Sequence, residues 1–131
     1  MNDSGKSKMT DHPRMRLIES VRDNRGRLRI FEEGNTLRFT PVRCFVISDV
    51  PVGETRGGHA VSCDEFVVVL TGSCVAVVSN DGRLDEYALD DQGGGLHVPK
   101  ETWFRLEEFE PGAMVAVFAS EKFRDTVYLE A

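Results

Sequence analysis

A chain of 131 residues and 14.6 kDa is long enough for one domain with a buried core and too short for two. Its formal net charge of −6 and pI near 5.1 exclude the basic face of a nucleic-acid scaffold, and no run of about 18 apolar residues offers a membrane span. Cys44, Cys63 and Cys74 are odd in number and lack a CxxC pair, so neither a disulfide framework nor a zinc knuckle is indicated, and with no apolar signal core at the N-terminus the expected setting is cytoplasmic.

Residues 1–13 are polar and aperiodic and read as a disordered tail, which leaves 14–131 for the fold. Met15 to Val21 alternates loosely as a strand, and the turn Asp23-Asn24-Arg25-Gly26 makes it half of a hairpin with Arg27 to Glu32. Glu33-Gly34-Asn35 turns the chain again. Arg43 to Ile47 is a β-rich run that stops at Asp49-Val50-Pro51-Val52-Gly53, and Gly57 to Val61 is the next strand. Glu65 to Leu70 is nearly all apolar and β-branched, which predicts burial on both faces. Ser73 to Ser79 follows, and Asn80-Asp81-Gly82 is a strong hairpin signal. Arg83 to Leu89 then alternates charged and apolar residues, and Asp90 to Gly95 is a flexible turn. Leu96 to Val98 and Trp103 to Leu106 are short strands, Ala113 to Ala119 is a buried one, and Glu121 to Tyr128 is either a short helix or a terminal strand. Strands at this spacing without an amphipathic helix predict an all-β sandwich or jelly-roll barrel.

The richest stretch in chemistry is Gly53 to Gly72. The first cupin motif runs Gly, five residues, His, one residue, His, three or four residues, Glu, six residues, Gly; here Gly53, His59, Glu65 and Gly72 keep the spacing, and Val61 stands where the second histidine belongs. Side chains alternate along a strand, so His59, Val61 and Glu65 share a face if the segment stays extended, and in a small barrel that face lines a ligand cavity.

The blocks DNRGRL, VRCFVISDVPVGETRGGHA, LTGSCVAVVSNDG, GGGLHVPKETW and VAVFASEKF, in this order over roughly residues 17–128, resemble the cupin 3,4-ketoisomerases that act on dTDP-4-dehydro-6-deoxyglucose in deoxysugar biosynthesis. The resemblance implies an RmlC-like cupin jelly-roll barrel, a homodimer with the first hairpin at its interface, a nucleotide-sugar ligand and no metal or other cofactor. It also implies a shift of the keto group from C4 to C3 through an enediolate, with His59 as the base, since histidine is the usual group whose protonation changes near neutral pH. Three departures fall where that chemistry lies. Val61 and Ser62 replace the family's second histidine and lysine, Phe45 stands where a tyrosine is usual, and Glu65 replaces glutamine. They leave a second reading open, a non-catalytic cupin that binds a nucleotide sugar or another small metabolite.

Other positions carry two readings each. Glu65 is either a cavity acid or a strand-start residue against an arginine. His97 is either a packed strand histidine or a partner for His59 from a neighbouring strand. Arg43, Arg56 and Arg105 are surface charges or diphosphate contacts, because guanidinium geometry suits phosphate; Trp103 is a base-stacking wall or core. A metal site is short of ligands, since Glu101 and Phe104 occupy the remaining positions of the second cupin motif and only His59 and Glu65 are left.

Overall fold

Two five-stranded antiparallel sheets face each other across an apolar core in the computed structural model, which describes residues 11–129. In chain order the strands are β1 (Arg14–Arg16), β2 (Glu19–Asp23), β3 (Gly26–Ile30), β4 (Arg43–Ser48), β5 (Arg56–Val61), β6 (Glu65–Thr71), β7 (Ser73–Asn80), β8 (Arg83–Asp90), β9 (Gly95–Val98), β10 (Phe104–Glu107), β11 (Met114–Ala119) and β12 (Tyr128–Leu129). The first sheet has the order β1-β9-β6-β11-β4 and the second β12-β5-β10-β7-β8, while β2 and β3 form a separate hairpin. From β4 onward consecutive strands alternate between the two sheets except at the β7–β8 hairpin, the arrangement of a jelly roll. Among the described residues no ladder joins the two sheets into a closed barrel, so the expected cupin fold is present as a sandwich.

The core between the sheets follows from the period-2 pattern. Val67, Val69, Leu96, Val98, Val115 and Val117 point inward from the first sheet and meet Cys74, Ala76, Val78, Leu89, Phe104 and Leu106 from the second. The other face of the first sheet is also covered: Phe66, Val68 and Ala116 pack under Leu37 and Phe39, with Ile18 and Phe31 alongside. That third layer explains the uninterrupted apolar run of β6. Residues 36–39, which the sequence reading passed over, supply it, with Thr36 and Leu37 almost wholly buried.

The tight turns follow local chemistry. Asp81 and Gly82 both hold positive φ between β7 and β8, as a two-residue hairpin turn requires. The expected strand Met15 to Val21 breaks at Leu17-Ile18: β1 joins the first sheet beside β9, and only β2 pairs with β3, in the register Val21↔Leu28. The turn Asp90 to Gly95 is not loose, because a Cβ on Gly94 would strike the Arg16 carbonyl and one on Gly95 the Phe66 ring. Glu121 to Tyr128 resolves into both expected forms, a 3-10 turn at Phe123–Asp125 and then β12. Of the expected tail, residues 1–10 lie outside the described residues, and Pro13 is buried next to β1.

Candidate active site

A cavity of about 440 Å³ opens between the sheets at the end where β4, β5 and the C-terminal segment meet, within the size range of small-molecule sites. Its walls are mostly apolar, from Phe45, Ile47, Val61, Phe104, Leu106, Val117 and Phe123. Arg43, Arg56, His59, Glu65 and Tyr128 are the charged and polar side chains in the lining, together with the Cys44 thiol.

One bulge places two of them. In β5, His59 lies opposite Phe104 and Gly57 opposite Arg105, so Gly58 is skipped in the ladder. Arg56 and His59 are three apart and in a regular strand would face opposite sides; the extra residue turns both toward the cavity. Gly57 and Gly58 both hold positive φ, near 85° and 89°, and a Cβ on Gly57 would come within 3.1 Å of the Phe104 carbonyl oxygen. The dipeptide between the arginine and the histidine is therefore a backbone requirement of the site.

Glu65 reaches the cavity by another route. Ser62, Cys63 and Asp64 form a corner that carries the chain from the second sheet to the first, so His59 and Glu65 face the same cavity from opposite walls, not along one extended strand. Ala119 pairs with Arg43 on one side and Glu65 on the other. Its small side chain lets the arginine reach across, with Nη2 3.7 Å from the carboxylate. The guanidinium carbon lies 5.2 Å from the centre of the Phe45 ring and 5.7 Å from that of Phe123. Among the described residues the buried Arg43 Nε has no hydrogen-bond partner. Burial pushes the Glu65 carboxyl up to about 7, against the opposing pull of Arg43.

The C-terminal segment completes the rim. The Ser62 hydroxyl donates to Glu121 Oε1 and accepts the Val127 N–H, both at 2.8 Å. Ser120 and Asp64 are joined by two further hydrogen bonds. These bonds fix Phe123 and Tyr128 over the corner. The Tyr128 ring meets His59 edge to face, with centroids 4.7 Å apart. Sequence reasoning missed both aromatics, since nothing in the pattern of 121–128 said which way that segment folds.

Three expected site residues lie elsewhere. His97 is on the opposite face of the first sheet, packed against Phe39, with Nε2 4.0 Å from Asp64. It does not reach His59, because its strand neighbours Leu96 and Val98 are the ones facing inward. Burial lowers its pKa, and its Nδ1 has no partner among the described residues. Arg105 and Trp103 are paired on the outside of the second sheet, with the guanidinium 5.4 Å from the indole centre and Glu107 2.9 Å away. Phe104 and Leu106 take the inward positions between them. Among the described residues no group of three or more His, Cys, Asp or Glu side chains is arranged to hold a metal ion.

Comparison with known proteins identifies the family and the fold. The model of the WxcM-like, C-terminal (FdtA) family matches residues 11–131. The TDP-4-oxo-6-deoxy-alpha-D-glucose-3,4-oxoisomerase of Aneurinibacillus thermoaerophilus is 30% identical over 113 residues, which cover 86% of this chain and 81% of that protein. Among solved structures, a 3,4-ketoisomerase from Helicobacter canadensis superposes with a TM-score of 0.79 at 28% identity over 88% of this chain and 89% of that one. The WlaRB TDP-quinovose 3,4-ketoisomerase of Campylobacter jejuni does so with a TM-score of 0.84 at 25% identity, over 91% and 92%. With a family match that runs over residues 11–131, nearly its whole length, the chain belongs to the WxcM-like, C-terminal (FdtA) family.

Proposed function

We propose that this chain is a dTDP-4-dehydro-6-deoxyhexose 3,4-ketoisomerase of deoxysugar biosynthesis. The observation that carries the reading is the β5 bulge, which turns Arg56 and His59 into one cavity with the Arg43–Glu65 pair. His59 is the base that takes the C3 proton of the keto sugar. Arg43 and Arg56 hold the diphosphate or the developing oxyanion; the unpartnered Nε of Arg43 is one donor available for that purpose. Glu65 orients Arg43. The donor set suits proton transfer, and among the described residues no three His, Cys, Asp or Glu side chains are grouped to hold a metal. The test is to incubate the protein with dTDP-4-dehydro-6-deoxyglucose and follow the sugar by NMR; appearance of the 3-keto isomer is expected, and an unchanged substrate would refute the reading.

The diphosphate assignment has its own test. Thymidine diphosphate is expected to raise the Tm, because a ligand that binds only the folded state stabilises it by mass action. Arg56→Ala should reduce that shift and its sensitivity to salt. No shift at millimolar nucleotide would remove the arginines from the ligand site.

We also propose a homodimer of one domain spanning 14–131, working in the cytoplasm. The hairpin of β2 and β3 leaves Val21 and Leu28 exposed as an opposed pair, an apolar surface suited to a second copy. The three free thiols suit a reducing compartment. Light scattering at micromolar concentration should give twice the monomer mass; a monomer would refute the dimer.

A further inference from the structure

The proposed reaction moves two protons along two routes. One passes from C3 to C4, and the other from the C3 hydroxyl to the oxygen on C4. His59 serves the first. The second histidine that would serve the other is Val61, and Phe45 offers no hydroxyl. The cavity nevertheless has a hydroxyl that no sequence motif assigns. Tyr128 is the cross-strand partner of Val61 in the β5–β12 ladder, and directly opposed residues of an antiparallel pair present their side chains on the same face. It therefore enters the cavity at the position the missing histidine vacated and leans onto His59, 4.7 Å away between ring centroids. At 52% exposure it sits at the mouth of the cavity, where an incoming substrate can meet its hydroxyl. Glu65 is less suited to this task, since it lies on the opposite wall and is engaged by Arg43.

We infer that Tyr128 is the second catalytic residue, the proton carrier between the two substrate oxygens; the inference rests on the ketoisomerase reading above. His59 takes the proton from C3, the C3–H electron pair becomes the C3=C4 double bond, and the C4 carbonyl pair moves onto its oxygen. The Tyr128 hydroxyl gives that oxygen its proton and is left as phenolate. The phenolate then takes the proton of the C3 hydroxyl, the C3 carbonyl forms, and the double-bond pair takes the proton from the His59 imidazolium at C4. Both side chains finish as they began, with no oxidant or reductant required. Two groups thus suffice, which accounts for a valine at position 61 in this chain.

The test uses the full chain, dTDP-4-dehydro-6-deoxyglucose and NMR. Tyr128→Phe keeps the ring against His59 and removes only the hydroxyl, and it is expected to lower kcat by about 10²- to 10⁴-fold. Its KM should move by less than about threefold, as expected when an interaction specific to the transition state is lost. The Tm shift caused by thymidine diphosphate should be unchanged. Adding Val61→His to Tyr128→Phe returns a proton carrier to the facing position and should recover at least about tenfold of the lost rate. If Tyr128→Phe turns over like the wild type, Tyr128 is not the carrier, while the ketoisomerase reading stands. If the variant loses the nucleotide-dependent Tm shift together with activity, the residue is structural and the inference fails. A wild type that leaves the sugar unchanged overturns the reading and the inference together.

Discussion

His59→Ala should reduce turnover of dTDP-4-dehydro-6-deoxyglucose by about 10²- to 10⁴-fold or more, the usual contribution of a positioned general base. Binding should survive, because Arg43 and Arg56 hang on other parts of the framework: Arg43 on β4, locked to Glu65, and Arg56 on the far side of the Gly57-Gly58 bulge. Thymidine diphosphate is therefore expected to stabilise the variant as it does the wild type. Retained turnover would remove His59 from the mechanism. Loss of the nucleotide response together with activity would make His59 a structural residue. The structure also alters what restoring the family motif should do. Judged from sequence alone, Val61→His, Ser62→Lys and Phe45→Tyr rebuild a proton relay. In the fold, the Ser62 hydroxyl holds both Glu121 and the Val127 N–H. Ser62→Lys breaks both bonds and weakens the hold on the segment that carries Phe123 and Tyr128, leaving the Ser62 N–H to Val127 carbonyl bond and the short β12 ladder, so the triple variant is expected to be slower than Val61→His alone.

The second large effect concerns stability and pH. Glu65 is 5% exposed, and its carboxyl is raised from 4.5 to about 7, first by burial. Between these values the unfolded chain has released the proton that the native protein still holds, so the native state loses stability as pH rises through the window. A shift of this size corresponds to roughly 3 kcal/mol, or on the order of 10 °C in Tm for a domain of this length. Above about pH 7 the contribution is fully lost, and below 4.5 it is fully present. His97 acts in the opposite direction: burial lowers its pKa, so it favours the native state as pH rises toward 6.5. Asp23, Asp85 and Asp91 are held below 3.8 by hydrogen bonds, and their contribution is lost only at more acid pH. The measurement is consequently a difference, wild type against Glu65→Gln, from pH 4.5 to 8. Wild type should lose stability relative to the variant across that range. Parallel curves would mean that Glu65 is ionised in the fold throughout.

Local information in the chain was enough for most of the architecture. The runs 65–70, 73–79 and 113–119 are apolar and β-branched, and Asp81-Gly82 can satisfy a hairpin turn on its own, so the strands and their inward faces follow from period-2 alternation and turn chemistry. The spacing from Gly53 to Gly72 likewise marked His59 and Glu65, both of which line the cavity. Tertiary structure decided what alternation cannot express. A bulge resets the face of every residue beyond it, which is how Arg56 joins His59. A corner between sheets brings Glu65 to the opposite wall. His97, Trp103 and Arg105 turned outward because Leu96, Val98, Phe104 and Leu106 took the inward positions, a choice made by packing across the core. Tyr128 and Phe123 entered the site through hydrogen bonds to Ser62 and Asp64, about 60 residues away in sequence, a separation across which no local pattern carries information.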